Sequence, residues 1–90
     1  MEFEWDDAKR TANIAKHGLD FLRVGRLMAE QHVVVPGREV GGEARMLAIG
    51  LIEERFVTAV FVMRGGNVRV ISLRSARHGE RRKYQAVYGN

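Results

Sequence analysis

The order of apolar and polar residues changes near residue 32, from a helical period to a strand period. Apolar side chains in residues 7–17 and 21–30 recur at helical intervals. Asp6 and Asp20 stand where an N-cap side chain accepts a free backbone N–H of the first helical turn. Gly18 follows the first segment, where a left-handed residue commonly ends a helix. The pattern therefore predicts two short N-terminal helices.

Four strand-like segments follow, and turn residues separate them. The first, His32–Val35, is rich in β-branched residues and ends at Pro36, and the residues from Gly37 to Gly42 indicate a loop. The other strands are expected over residues 44–52, 56–63 and 68–75, with links at Glu53-Glu54-Arg55 and Arg64-Gly65-Gly66-Asn67. A last helix is expected over residues 76–88.

These elements predict an α+β fold in a single domain, residues 1–90. It has two N-terminal helices, a four-stranded antiparallel meander and a C-terminal helix. The nearly continuous apolar run of 56–63 predicts a central strand that is covered on both faces. The last helix is expected to make its inner contacts through Ala76, Tyr84, Val87 and Tyr88.

Composition excludes several classes of protein. The chain has no cysteine, which rules out disulfides, thiolate metal sites and cysteine nucleophiles. No apolar run approaches the roughly 18 residues needed to cross a bilayer, and the acidic N-terminus does not resemble a signal peptide. We therefore expect a cytoplasmic protein with no membrane partner.

The charge is basic and unevenly distributed. Fifteen basic residues face eleven acidic ones, for a net charge of +4, and twelve of the fifteen are arginine. The planar guanidinium suits phosphate groups better than the ammonium of lysine does. Residues 69–83 carry six basic residues against the single acid Glu80. This end favours an anionic partner, either a nucleic acid or an acidic protein; the alternative is a solvated face that only maintains solubility.

The inventory of reactive side chains is restricted. The three histidines are far apart, no metal-ligand or phosphate-loop spacing is present, and neither serine lies in a nucleophile elbow. We therefore expect no metal and no cofactor. What remains is a set of Arg, Lys, His, Glu and Tyr side chains, which suits RNA cleavage through the 2′-hydroxyl of the substrate because the protein need not supply the nucleophile.

The expected meander does not bring all of the arginines to one phosphate. Arg64 and Arg69 flank one hairpin end, whereas Arg74 lies at the other end of its strand, roughly 15–17 Å away at about 3.3 Å per residue. Either these arginines line an extended RNA path, or some of them are structural.

The motif order resembles the BrnT family, the toxins of the BrnT/BrnA type II toxin–antitoxin systems. The similarity covers almost the whole chain. It rests on Phe3-Glu4-Trp5-Asp6, Lys9, Asn13, Lys16-His17-Gly18, Phe21, Gly42-Glu43-Ala44-Arg45, Ile49-Gly50, Arg69-Val70-Ile71-Ser72-Leu73-Arg74-Ser75-Ala76, Glu80 and Tyr84. The resemblance implies a RelE-like ribonuclease fold and RNA cleavage that inhibits translation. It also implies a heteromeric complex with a BrnA-like antitoxin, which neutralises the toxin and binds operator DNA.

The motif positions suggest candidate roles in such a toxin. Arg64 and Arg74 are candidates to stabilise the phosphorane, and His17 and Glu80 to transfer protons, with acid and base left open. The candidates for RNA binding are Lys9, Lys16, Arg45, Arg69, Arg77, Arg81 and Tyr84, the last by stacking on a base. Asn13 is a candidate to cross-link helix and sheet.

Two candidates have structural alternatives. At a helix C-terminus the dipole would favour protonated His17, which could satisfy the terminal carbonyls. Glu80 could instead be the ion-pair partner of Arg77 or Lys83. We expect Arg74→Ala to abolish growth arrest with little effect on stability.

Two other functions remain open from the sequence. One is a non-catalytic nucleic-acid-binding module. The other is a protein-binding subunit whose basic face receives an acidic partner. RNA that stays intact despite salt-sensitive binding would indicate the module.

Overall fold

Helix α1 (Asp7–His17) begins and ends at the predicted residues. The computed structural model describes residues 2–89. The side chain of Asp6 accepts hydrogen bonds from the backbone N–H groups of Ala8, at 2.8 Å, and Lys9, at 3.2 Å. Gly18 ends the helix with φ of 70°, a conformation that glycine adopts without a Cβ penalty.

The predicted second helix, 21–30, is divided into two parts. A 3₁₀ turn over Phe21–Arg23 leads into the short helix α2 (Val24–Ala29). Asp20 caps the turn, as predicted, and its carboxylate also accepts two 2.8 Å hydrogen bonds from Arg10 on α1. The capping residue therefore also fixes the angle between the two helical segments.

The sheet has five strands and not the predicted four, in the order β1-β5-β4-β3-β2. Their bounds are β1 Phe3–Glu4, β2 His32–Val40, β3 Glu43–Ile52, β4 Arg55–Arg64 and β5 Asn67–Ser75. The antiparallel meander of β2 to β5 agrees with the prediction. The missed strand, β1, pairs parallel with β5, with Phe3 opposite Val68. A pair of residues carries no detectable period, so the sequence pattern could not indicate it.

Strand β2 corrects the prediction of a loop from Gly37 to Gly42. The strand continues through Pro36 to Val40, and only Gly41 and Gly42 remain as a turn. Because β2 is at the edge of the sheet, it tolerates a proline, which cannot donate to an inter-strand hydrogen bond, and the register shift between Pro36 and Glu39 absorbs the irregularity. The residues that follow Pro36, among them Arg38, therefore lie along the edge of the sheet.

Two of the helical segments cover opposite faces of the sheet. The main core lies between the sheet and the segment from Leu19 to α2; it contains Leu19, Phe21, Val24, Leu27, Ala48, Ile52, Val57, Ala59, Phe61, Val68, Val70 and Leu73. Helix α3 (His78–Tyr88) covers one end of the other face, where Tyr84 packs edge-on against Phe56 at 5.5 Å. None of the helices in residues 2–89 has the length and apolarity to span a bilayer.

Helix α3 contacts the sheet through residues spaced four apart. Glu80 and Tyr84 are buried, and the hydroxyl of Tyr88 donates to the backbone carbonyl of His32 at 3.1 Å. The prediction that Val87 faces inward is wrong, since its side chain is 64% exposed. Val87 lies beside this four-residue stripe and not on it.

Two glycine substitutions should change stability in opposite directions. A Cβ at Gly50 would lie 2.7 Å from Leu27 Cδ1 and 3.1 Å from the carbonyl oxygen of Gln31, whereas nothing lies within 4 Å of a Cβ at Gly79. We expect Gly50→Ala to cost about 1–3 kcal/mol through overpacking. Gly79→Ala should gain up to about 1 kcal/mol from helix propensity. Thermal denaturation of both variants tests this; equal melting temperatures would contradict the packing described here.

Candidate nucleic-acid interface

A nearly buried ion pair joins the end of β5 to the first turn of α3. Arg74 donates from Nη1 to Glu80 Oε1 at 2.8 Å and from Nη2 to Oε2 at 3.0 Å. The two side chains are 16% and 10% exposed. Glu80 Oε1 also accepts from Thr58 Oγ1 at 2.8 Å and from the Arg77 backbone N–H at 2.9 Å. This cluster cross-links β4, β5 and α3.

The environment of Glu80 disfavours its interpretation as the general base. Hydrogen bonds from Arg74, with further ones from the Arg77 backbone and Thr58, lower the pKa of Glu80 to about 2. A carboxylate with so low a pKa, both of whose oxygens accept hydrogen bonds, is a weak proton acceptor at neutral pH. Its ion-pair partner is Arg74, and not Arg77 or Lys83 as the sequence suggested.

Two depressions open beside this cluster. The larger, which we call the arginine depression, has a volume of about 600 Å³ and is lined by Pro36, Gly37, Arg38, Arg45, Leu47, Val60, Ser72, Arg74, Arg77 and Glu80. The second, which we call the helix depression, has a volume of about 390 Å³ and is lined by Lys9, Ala12, Asn13, Lys16, His17, Arg45, Ile71 and Ser72. Arg45 and Ser72 line both, so the two depressions adjoin.

The arginine depression contains guanidinium groups that have no acidic partner. No carboxylate of residues 2–89 forms an ion pair with Arg38, Arg45 or Arg77. Their donors remain open to an external ligand. Phosphate is well matched to them, because the guanidinium fork binds its oxygens in a bidentate manner.

His17 contributes an imidazole with a lowered pKa to the helix depression. Partial burial lowers its pKa below the usual 6.5, and the positive charges of Lys16, Arg74 and Arg55 lower it further. This outcome is opposite to the sequence-based expectation, in which the helix dipole favoured the protonated form. Burial, together with the nearby cations, favours the neutral imidazole, so His17 is suited to accept a proton at neutral pH.

Asn13 positions α1, and with it His17, against the sheet. Its amide nitrogen donates to the carbonyls of Leu19 and Leu73, both at 2.8 Å, and its amide oxygen accepts from the Leu73 N–H at 3.1 Å. The side chain thus pairs with the open edge of β5 as a neighbouring strand would. The expected cross-link is confirmed, one residue before Arg74.

Two of the candidate arginines lie elsewhere. Arg64 is six residues along β4 from Thr58, which lies opposite Arg74, so Arg64 is about 20 Å from the ion-pair cluster. Its guanidinium is bound to Glu43 at 2.7 and 2.9 Å. Arg69 is paired with Glu4 at 3.0 Å. The structure therefore does not bring Arg64 or Arg69 to either depression.

Two other candidates stabilise α3. The guanidinium of Arg81 lies over the ring of Phe56, 4.5 Å from its centroid. The residue Tyr84 is only 5% exposed and packs between Phe56 and Tyr88. A ring that is buried in this way has no face free for a base, so the prediction that Tyr84 stacks on RNA is wrong.

Two residues of the site are not among the candidates that the sequence indicates. Arg38 falls within the predicted loop, but the continuation of β2 places it in the arginine depression. Thr58 falls within a nearly continuous apolar run, whereas its hydroxyl donates a hydrogen bond to Glu80. A polar residue inside an otherwise apolar central strand was the available signal for Thr58.

The described residues contain no evident metal site. No three His, Asp or Glu side chains between residues 2 and 89 are grouped closely enough to hold a metal ion.

Comparisons with known proteins identify relatives of the chain. A family model described as "Ribonuclease toxin, BrnT, of type II toxin-antitoxin system" matches residues 5–80. The crystal structure of the ribonuclease toxin BrnT from Brucella abortus is similar, with a TM-score of 0.69 and 34% sequence identity. The alignment covers 87% of this chain and 99% of that one. No curated protein sequence matches the chain.

The ion-pair cluster should make stability depend on acid pH. Glu80 has its pKa lowered to about 2 in the folded protein, so its contribution is present above its ordinary value of 4.5 and lost as the pH falls towards 2. We expect a loss of about 2–3 kcal/mol over this interval.

The measurement is urea denaturation of the wild type and Glu80→Gln between pH 7 and pH 2. Glu80→Gln should be less stable at pH 7 and lose less on acidification. Some acid dependence should persist, because Asp20 also has its pKa lowered to about 2 by Arg10. Parallel stability curves for the two proteins would contradict the role of Glu80.

Proposed function

Since the chain belongs to the BrnT family of ribonuclease toxins of type II toxin–antitoxin systems, we propose that the two adjoining depressions form its RNA-cleaving site. The observation that supports this is the concentration of uncompensated positive charge. Arg38, Arg45 and Arg77 have no acidic partner within residues 2–89 and line one depression, and a histidine with a lowered pKa lies in the next.

The proposed reaction is a metal-independent transesterification. The 2′-oxygen of the RNA attacks the adjacent phosphorus, and the bond from phosphorus to the 5′-oxygen of the next nucleotide breaks. The products are a 2′,3′-cyclic phosphate and a 5′-hydroxyl. His17 takes the proton from the 2′-hydroxyl, and the departing 5′-oxygen takes one from water.

Cations lower the barrier by stabilising the phosphorane. Arg45 and Arg77 are the proposed phosphate ligands, because their guanidinium groups are free. Arg74 contributes through the donors that Glu80 leaves available: three of its hydrogen bonds go to Glu80 and to the Ser75 carbonyl, out of the five N–H donors of an arginine. Lys9 and Lys16 would guide the RNA along α1.

This arrangement changes the expected effect of Arg74→Ala. Removal of the guanidinium would leave Glu80 buried without its charge partner, which costs about 3–5 kcal/mol in comparable sites. The variant would therefore lose stability as well as activity. Variants of Arg45 and Arg77 separate the two effects better, because no ion pair is lost with them.

The proposed partner in the cell is a BrnA-like antitoxin. It would inhibit the toxin by covering the unpaired arginines, and the complex would bind operator DNA through the antitoxin. Cleavage of translated RNA would place the toxin in the cytoplasm.

RNA cleavage in excess EDTA tests the proposed reaction. We expect purified protein to cut a single-stranded RNA into fragments with 2′,3′-cyclic phosphate and 5′-hydroxyl ends. His17→Gln and Arg77→Gln should reduce the rate by at least tenfold. The matched control is Arg64→Gln, which removes an arginine about 20 Å away and should leave the rate within about twofold.

Three results would contradict the proposal. Intact RNA despite salt-sensitive binding would indicate a non-catalytic binding module. Fragments with 5′-phosphate ends would exclude attack by the 2′-oxygen. An equal loss of activity in Arg64→Gln and Arg77→Gln would show that the two depressions are not the RNA-cleaving site.

In a plot of kcat/KM against pH, the rise on the acid side, here called the acid limb, should follow the titration of His17. As the general base, His17 must be neutral, so kcat/KM should rise with pH through a pKa below 6.5 and then level off. Lys16→Gln removes one of the charges that lower this pKa, so the limb should move to higher pH. Lys83→Gln is the control and should leave it in place. A limb that is identical in all three proteins would exclude His17 as the titrating group.

A further inference from the structure

The two depressions differ in the character of their linings. Pro36, Leu47 and Val60 give the arginine depression an apolar part, in the same lining as Arg38 and Arg77. The helix depression is lined mainly by polar and basic side chains, apart from Ala12 and Ile71. The larger volume of about 600 Å³ lies within the roughly 300–1,000 Å³ typical of ligand pockets.

An apolar surface in the same depression as several guanidinium groups suits a nucleobase. Unpaired bases bind proteins by placing their flat faces on apolar or guanidinium surfaces and their edges against donors. Leu47 and Val60 are only partly buried, so they offer apolar surface to a ligand. A phosphate would gain nothing from these apolar side chains, so this part of the depression suits a base, and the guanidinium groups around it suit the phosphates on either side of that base.

The boundary between the depressions suits a phosphate. Arg45 and Ser72 line both depressions. Within residues 2–89, no side chain forms a hydrogen bond with the Ser72 hydroxyl, and no carboxylate forms an ion pair with the Arg45 guanidinium group. The other serine differs, because the hydroxyl of Ser75 accepts a 2.7 Å hydrogen bond from Arg55. Ser72 and Arg45 thus present free donors at the one place common to both depressions.

We propose that the scissile phosphate binds over Ser72 and Arg45, and that the arginine depression is a binding subsite for the base of the nucleotide on the 3′ side of the cut. The direction follows from His17, which lies in the helix depression. As the general base it must adjoin the ribose whose 2′-hydroxyl attacks, and that ribose is 5′ of the scissile phosphate. The inference rests on the proposed function and adds a source of sequence selectivity.

Cleavage mapping on a mixed-sequence RNA tests the subsite. We expect the wild type to discriminate more strongly among bases at the nucleotide 3′ of the cut than at the one 5′ of it. Leu47→Ala should reduce the 3′ discrimination at least threefold without changing the 5′ discrimination. Leu51→Ala is the matched control, since Leu51 is a similarly half-buried leucine of β3 outside both depressions, and should change neither.

Ser72→Ala tests the phosphate position against the other serine. It should lower kcat/KM about tenfold, whereas Ser75→Ala should change it less than twofold. The inference is overturned if discrimination is confined to the 5′ nucleotide, if Leu47→Ala and Leu51→Ala behave alike, or if the two serine variants do.

Binding of uncleavable RNA separates this inference from the proposed function. Hexanucleotides with 2′-fluoro groups have no 2′-hydroxyl to attack, so their affinity does not depend on catalysis. If the wild type fails to cut RNA but Ser72→Ala and Leu47→Ala weaken hexanucleotide binding at least threefold relative to their controls, the subsite stands and the nuclease proposal fails. If the wild type cuts RNA and no variant differs from its control in binding or cleavage, the subsite assignment fails alone.

Discussion

The ion pair of Arg74 and Glu80 connects the sheet, α3 and the proposed site. It fixes the start of α3 against the middle of the sheet, and the hydroxyl of Thr58 and the backbone N–H of Arg77 complete the set of hydrogen bonds to the carboxylate. Loss of one member of a buried pair costs about 3–5 kcal/mol, a large part of the roughly 5–15 kcal/mol that stabilises a small domain. The same two side chains line the arginine depression, so loss of the ion pair would also change the shape of the proposed site.

The arginines divide into two groups by their partners. Some, such as Arg10, Arg64 and Arg69, are bound to carboxylates and connect neighbouring elements. The others have no acidic partner among the described residues, and three of them, Arg38, Arg45 and Arg77, line one depression. A free guanidinium group near other cations is electrostatically unfavourable in the absence of an anion, so their gathering is better explained by ligand binding than by folding.

The sequence predicted the elements that carry a local signal. Asp6 and Gly18 bound α1 because a cap and a left-handed glycine act within a few residues of the chain, and the meander followed from alternating runs and glycine turns. Strand β1 was missed because it depends on a partner more than sixty residues away in sequence, and β2 was cut short because proline is tolerated at an edge that only the fold defines.

The site was harder to predict than the fold. Residue types and motif order selected His17, Arg45, Arg74 and Arg77, which the structure places around the two depressions, but they could not distinguish a free arginine from a paired one. That distinction depends on which carboxylate the fold brings near, as Glu43 near Arg64. Burial likewise decided against Tyr84, whose four-residue spacing from Glu80 places it under α3.

The most direct test of this account is the salt dependence of RNA binding in single arginine variants. Each arginine that neutralises a phosphate of single-stranded RNA contributes about 0.7 to the slope of the logarithm of affinity against the logarithm of salt concentration. Arg38→Gln, Arg45→Gln and Arg77→Gln should each reduce the slope by about this amount, and Arg64→Gln and Arg69→Gln should leave it unchanged. Equal reductions in all five variants would show that paired and unpaired arginines bind RNA alike, and the account would be wrong.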